Sequence, residues 1–169
     1  MIAGKKEIYE KYKKILECIA EKSFYLGQSG TALSIKLAMN LQISMTALAL
    51  SEGITLARGV GLDPQLFLQI LNSSDYKTRQ SEKKGSKMIK GEFDATFTIQ
   101  NMQKDLDTIN AAAKAFNLSL PMASLAQKLY QDATSEFAQL DYTGILAYIE
   151  KTAKETRKDD LSKCVRLDQ

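Results

Sequence analysis

The 169-residue chain is 44% hydrophobic and 25% charged, with 23 basic residues against 20 acidic ones. That is one domain's worth of sequence, with enough apolar content to bury a substantial core, and the balance excludes a disordered or fibrous protein. A net charge of +3 is too mild for the concentrated basic patch of a nucleic-acid binder, and the absence of histidine removes Ser-His-Asp and Cys-His nucleophiles and every His-ligated metal site.

Cys18 and Cys164 lie far apart in sequence and read as free thiols in a reducing compartment. Met1-Ile2-Ala3-Gly4 is too short for a secretory apolar region and runs directly into Lys5-Lys6-Glu7. The uncharged stretch from Leu37 to Ser51 falls short of the roughly 18–20 residues a membrane span needs, and it contains Asn40 and Gln42. The expectation is a soluble, cytoplasmic protein with neither membrane nor nucleic acid among its partners.

From Glu7 to Ala20 the apolar residues Ile8, Tyr12, Ile15, Leu16 and Ile19 form the stripe of an amphipathic helix. Ser23 to Leu26 is a short apolar run ending at Gly27, readable as one strand or an extended connector. Between Gly30 and Gly59 there is no proline, and the segment is apolar on nearly all sides. As one helix it would be roughly 40 Å long and form the buried centre of the domain. Gly59 and Gly61 stop it, and Asp63-Pro64 restarts a helix with Asp as N-cap and Pro at the first position.

Residues 73–97 are polar and mixed in charge, with a helix expected around Gln80 to Ile89. Its lysines are diluted by acids and accompanied by a single aromatic, Tyr76, so they read as a solvated surface and not a stacking platform. A helix follows from about Thr98 to Asn117 on the stripe Ile99, Met102, Leu106, Ile109, Ala113 and Phe116. Pro121 opens another, and Thr143 or Gly144 is positioned to cap a last helix from Ile145 to about Lys154. The fold class is therefore all-α. Residues 1–154 make one multi-helix domain around a long central helix, residues 1–26 being a linking helix and connector, and 155–169 a polar tail that frays.

Two places could carry chemistry. On the long helix, Lys36, Asn40, Ser44, Ala47 and Ser51 fall within an arc of about 80°, a narrow stripe of polar and small residues on an apolar rod. A lysine in such a helix must reach water, find a partner or shift its pKa. On spacing alone, Lys36 snorkels near the helix end and Asn40 caps a carbonyl. Lys104 lies almost opposite its own helix's apolar stripe, and with Asp105 reads as an exposed pair on a solvated face. No paired-carboxylate, metal-ligand or phosphate-loop motif occurs, and GxGxxG is absent.

The string Gly27-Gln28-Ser29-Gly30-Thr31-Ala32-Leu33-Ser34-Ile35-Lys36-Leu37-Ala38-Met39-Asn40 resembles the Gly-x-x-Gly-x-Gly-x-x-x-Lys-x-x-x-Asn signature of the β-hydroxyacid dehydrogenases, the 3-hydroxyisobutyrate dehydrogenase-like family. Glu52, Gly61-Leu62-Asp63-Pro64, Phe93 to Phe97, Lys104-Asp105-Leu106, Pro121, Leu129-Tyr130 and Asp141-Tyr142-Thr143 follow in the family's order. Ala32 stands where the motif has its last glycine, and Met39 stands where 6-phosphogluconate dehydrogenases carry histidine.

The resemblance implies an oxidoreductase with an N-terminal Rossmann domain binding NAD or NADP, followed by an all-α C-terminal domain like that of 6-phosphogluconate dehydrogenase. This chain resembles the second part, with Met1 to Gly4 similar to the end of the last Rossmann segment. On that resemblance Lys36 is the catalytic acid/base, Asn40 and Gly30 contact substrate, and Lys104 and Asp105 face the cofactor. The chain alone is expected to bind no cofactor and to be inactive without a Rossmann partner chain. It is also expected to form a homodimer or larger oligomer. A second reading keeps the fold without the chemistry, as a helical oligomerisation or interaction module.

Overall fold

The structure, a computed structural model, describes the backbone of residues 1–167 and the side chains of residues 1–156. The described residues contain seven α-helices and one 3-10 turn: α1 Lys6–Ile19, α2 Thr31–Gly59, α3 Pro64–Asn72, α4 Arg79–Lys90, α5 Ile99–Ala115, α6 Pro121–Phe137, the turn Tyr142–Gly144, and α7 Ile145–Leu167. The all-α class is therefore as the sequence implies. The chain divides into two compact units, Met1–Asn40 and Leu41–Gln169.

In the first unit, residues 23–26 do not form a regular strand. They run extended and pair in parallel with the N-terminus through the bridge Ile2–Tyr25. The Ile2 amide donates to the Phe24 carbonyl, and the Leu26 amide donates to the Ile2 carbonyl, both at 2.8 Å. Helix α1 connects the two segments. Its Tyr9 ring stacks on Tyr25 at 4.9 Å between centroids, but no α1 residue is buried.

The second unit holds most of the core. Leu50 and Ile54 of α2, Leu68 of α3, Met88 of α4 and Leu146 of α7 form one buried cluster, with Phe67, Leu71, Ile89 and Phe93 packed around it. Each such side chain contributes about 1.5–3 kcal/mol when fully buried. Two glycines permit the close approach. A Cβ on Gly85 would lie 2.5 Å from Leu68 Cδ1, and one on Gly53 would lie 2.6 Å from Phe67 Cζ. Local signals set the ends of α3 and α4. Asp63 Oδ1 accepts from the Gln65 amide at 2.9 Å ahead of Pro64, Thr78 and Ser81 form a reciprocal capping box, and Gly91 ends α4 with φ 76°.

The burial expected for the whole long helix is confined to part of it. Ser44, Ala47, Leu48, Leu50, Ser51, Ile54 and Ala57 are buried, whereas Leu33, Ile35, Met39, Ile43 and Leu56 are exposed. Apolar composition shows that a surface needs cover, and this chain covers only one side of it. By length and composition α2 is also long and apolar enough to cross a membrane, with a hydropathy of 1.3. The sequence expectation concerned only the uncharged stretch Leu37–Ser51 within it.

The last helix also differs from expectation. Thr143 and Gly144, the expected cap residues, stand directly ahead of it in a turn of their own. They form the 3-10 turn, capped by the Asp141 carboxylate, which accepts from the Thr143 amide. The helix does not end near Lys154, and its backbone continues to Leu167. The Cys164 side chain lies outside the described residues; Cys18 is an exposed free thiol.

Candidate functional site

The chain enters α2 through a turn of unusual geometry. Gly27 and Gly30 have φ of 86° and 100°, in the left-handed region that side chains disfavour. Thr31 Oγ1 closes the turn by donating to the carbonyls of Leu26 and Gln28, at 2.7 and 2.8 Å. The helix therefore starts directly from the extended segment. The Gly30 carbonyl accepts from the Ser34 amide at 3.1 Å, so Gly30 sits at the mouth of the helix.

Lys36 lies just inside, and Asn40 follows one turn later on the same face. Lys36 is exposed and Asn40 half-buried. Apolar residues on the same two turns are also exposed, Ile35 at 44% and Met39 at 53%. The arrangement offers one primary amine, one carboxamide able to donate and accept, and the first-turn amides of a helix beside a flexible glycine. The continuation of the stripe is different in kind. Ser44 and Ser51 are fully buried, and their hydroxyls donate back to the carbonyls of Leu41 and Ala47, at 2.8 and 2.7 Å. The polar stripe read from the sequence is thus a candidate site at Lys36 and Asn40 and a core packing seam beyond them.

In the second unit, α5 sends its two candidate residues different ways. Lys104 is exposed and lines a groove of about 430 Å³ with Gln100, Gln103, Asp107, Thr134 and Ala138. Asp105 is 5% exposed, so it does not lie on a solvated face with Lys104 as spacing suggested. The reason is angular: Asp105 is three residues from Met102 and borders the buried stripe, while Lys104 points away from it. Within the groove, Asp107 Oδ1 accepts from Gln103 Nε2 at 2.9 Å and from Gln127 Nε2 at 2.6 Å.

Two polar constellations were not legible as sequence motifs. Lys84, read as part of a solvated surface, donates to both carboxylate oxygens of Asp141 at 2.8 Å, and Asp141 is 2% exposed. The carboxylate also accepts from the Thr96 amide and hydroxyl and from the Thr143 amide and hydroxyl. Burial pushes this carboxyl's pKa up, but the hydrogen bonds from Lys84, Thr143 and Thr96 outweigh burial and hold it below the ordinary carboxylate value. The second is Asn110 of α5, which donates to the Leu106 and Ala123 carbonyls and accepts from the Ser124 hydroxyl, tying α5 to α6. Both are structural clips. For Asn110 the hint in the sequence was a polar residue on the buried side of α5; for Lys84 and Asp141 there was none.

An apolar groove of about 440 Å³ runs between α2 and α6, lined by Leu41, Met45, Leu48, Met122, Leu125 and Leu129 among others. Met122 and Leu125 are 60% and 51% exposed.

Against known proteins, residues 30–149 match the family model described as "NAD-binding of NADP-dependent 3-hydroxyisobutyrate dehydrogenase". The chain is 31% identical to glyoxylate/succinic semialdehyde reductase 2, chloroplastic, of Arabidopsis thaliana over 80% of its own length and 38% of that protein. It is 29% identical to 2-hydroxy-3-oxopropionate reductase of Escherichia coli over 90% of its own length and 53% of that protein. Among solved structures, 3-hydroxyisobutyrate dehydrogenase from Salmonella typhimurium superimposes with a TM-score of 0.80 at 18% identity, covering 86% of this chain and 52% of that one. The chain therefore spans about half the length of these relatives, or less.

Proposed function

Because the chain belongs to the 3-hydroxyisobutyrate dehydrogenase-like family of β-hydroxyacid dehydrogenases, we propose that it is the substrate and oligomerisation part of an NAD(P)-dependent oxidoreductase acting on a small hydroxy acid. The observation that supports this reading is the placement of Lys36: an exposed amine on the second turn of α2, behind the Gly30 turn and one turn ahead of Asn40.

The chemistry follows from these groups. Oxidising an alcohol carbon requires its hydroxyl proton to leave, and a positioned amine takes that proton or returns it in the reverse direction. The Asn40 carboxamide, on the same face, holds the substrate oxygen in register, and the open backbone at Gly30 lets the substrate approach the helix mouth. The hydride chemistry belongs to the nicotinamide cofactor of the family. The residues present do not fit a whole dinucleotide. No glycine-rich phosphate loop exists in the chain, and the donor set around Lys104 is one cation beside the already engaged Asp107 carboxylate. Of the two α5 candidates only Lys104 is open to such a group, Asp105 being buried, so Lys104 contributes at most the α-helical side of a cofactor cleft, and turnover requires a nucleotide-binding half.

The test fuses the nucleotide-binding half of the Escherichia coli reductase ahead of this chain and follows hydroxy-acid oxidation with NAD and NADP. Lys36→Met should lower kcat by about 10²-fold or more, the scale of general acid–base catalysis. Asn40→Ala should act mainly on KM. Turnover by the unfused chain, or an unchanged rate in Lys36→Met, would overturn the reading.

The exposed apolar residues Ile35, Met39 and Ile43 of α2 and the α2–α6 groove support a homo-oligomer. A single monomeric boundary in sedimentation at micromolar concentration would exclude it. The same apolar surface is what favours the rival reading, a helical interaction module without catalysis. That rival expects the fused enzyme to be inactive whatever occupies position 36.

A further inference from the structure

A hollow of about 140 Å³ opens between α4 and the segment that follows it. Lys83 and Lys87 line it from α4, four residues apart and so on one face of the helix. Glu92 and Asp94 line it from residues 91–97. All four are exposed, and among the described residues none of them makes an ion pair or a side-chain hydrogen bond. The sequence alone reads these charges as a mixed, solvated surface. The fold sorts them by sign, with the amines on the helix and the carboxylates on the segment after it.

The hollow keeps its shape without these four side chains. On its floor, Lys84 donates to both Asp141 oxygens at 2.8 Å and to Thr96 Oγ1 at 3.1 Å, which uses its three ammonium hydrogens. Thr96 and Thr143 supply the other hydrogen bonds to Asp141, so the floor has nothing left with which to answer the charges above it. The backbone of the acidic side is anchored as well. The Glu92 amide donates to the Lys87 carbonyl at 2.9 Å, the Phe93 carbonyl accepts from the Asp141 amide at 3.0 Å, and the Thr96 amide donates to Asp141 Oδ2 at 3.1 Å. Asp94 is thus held between fixed neighbours.

Charge decides what fits. A simple anion drawn to the lysines would meet two carboxylates, and a simple cation drawn to the carboxylates would meet two amines. A metal ion finds too few donors, since among the described residues no group of three or more Asp, Glu, Cys or His is placed to hold one. The four upper charges cancel, so they complement a molecule that is neutral as a whole and charged at both ends. The volume is that of about five waters, at about 30 Å³ each, and so admits about five to seven non-hydrogen atoms. We propose that this hollow binds a small zwitterion, a free α-amino acid of the size of glycine, alanine or serine. Its carboxylate accepts from the Lys83 and Lys87 amines, and its ammonium donates to the Glu92 and Asp94 carboxylates. The site uses neither Lys36 nor Asn40 and does not depend on the functional reading above.

Nuclear magnetic resonance on the isotopically labelled full chain tests it, at neutral pH and constant ionic strength. Glycine should shift amides between residues 83 and 97 along one saturating curve, with a Kd of about 10 mM or tighter, a weak affinity suited to so small a ligand. Alanine and serine should do the same. Acetate and methylammonium, which carry one charge each, should not saturate even at about tenfold higher concentration. Lys87→Gln and Asp94→Asn should each weaken glycine binding by about tenfold or more, because each removes a charge-assisted hydrogen bond. Both residues are exposed, so neither substitution should move the urea-unfolding midpoint appreciably. Acetate binding as tightly as glycine, or a loss confined to Lys87→Gln, would reveal a plain anion site and overturn the proposal. A loss confined to Asp94→Asn would reveal a cation site and overturn it equally. Titrations with all three amino acids that stay linear to about 100 mM would leave the hollow without a zwitterion and end the proposal.

Discussion

The Asp141 carboxylate joins α4, the segment before α5 and the 3-10 turn through Lys84, Thr96 and Thr143. Lys84 also lies 4.5 Å from the centre of the Tyr142 ring. Removing one partner of a largely buried pair leaves the other uncompensated, which costs more than the pair contributes. Asp141→Ala should therefore lower stability by about 2–4 kcal/mol in urea unfolding, the Lys84 amine being partly solvated. The pH dependence has a fixed sign. A carboxyl whose folded pKa lies below its unfolded value adds stability above the unfolded pKa, and that stability is lost as pH falls through the folded one. Unfolding midpoints of the unsubstituted chain should thus decline below about pH 4, and Asp141→Asn should flatten that decline. At the other extreme, burial first, then the Tyr142 and Asp141 charges, raise the Tyr130 phenol well above its usual value. Its contribution is intact below about pH 10 and is lost on further rise, because the unfolded phenol ionises first. None of these partnerships was readable from the sequence: Lys84 and Asp141 are 57 positions apart, and a charged residue in a polar run carries no sign of which carboxylate it will meet.

Helix boundaries were far more legible, because they rest on local chemistry. Asp63-Pro64 and Pro121 mark starts that the structure reproduces, and the stripe is buried from Ile99 to Ala113 as its period implies, but its last expected member, Phe116, lies just past the end of α5 and is 74% exposed. Where expectation failed, a longer-range cause competed. Ser23 to Leu26 looked like an isolated strand or connector, and its extended form depends on Ile2, more than twenty residues earlier. Asn110, inside an apolar stripe, would be an error without Ala123 and Ser124 opposite. Asn110→Ala should cost about 2 kcal/mol, since the Ala123 carbonyl and the Ser124 hydroxyl lose a buried partner, and thermal unfolding will show it as a lowered midpoint. Asn110→Leu should not restore the loss.

Across the whole chain, burial is uneven. In Met1–Asn40, Leu37 is the one residue classed as buried, whereas the second unit holds the clustered core. Limited proteolysis followed by mass spectrometry should therefore cut residues 1–30 first and leave a resistant fragment from α2 onward. Each unit carries its own candidate residues, Gly30, Lys36 and Asn40 in the first and Lys104 in the second. Gly30, Lys36 and Asn40 were legible because a motif is a local string, and Lys104 because it breaks its own helix's period; the exposure of the α1 stripe was not, because a period in sequence shows which face is apolar and not how much of it is covered. The clip at Asn110 has one more consequence. It fastens α5 to α6 through side chains well inside both helices, so the connection through Phe116–Leu120 bears little of the load, and its tip at Asn117 already holds a φ of 54°. New termini opened there, or a fluorescent or affinity module spliced in, would leave the helical pair assembled, giving a handle on this protein far from Lys36 in sequence.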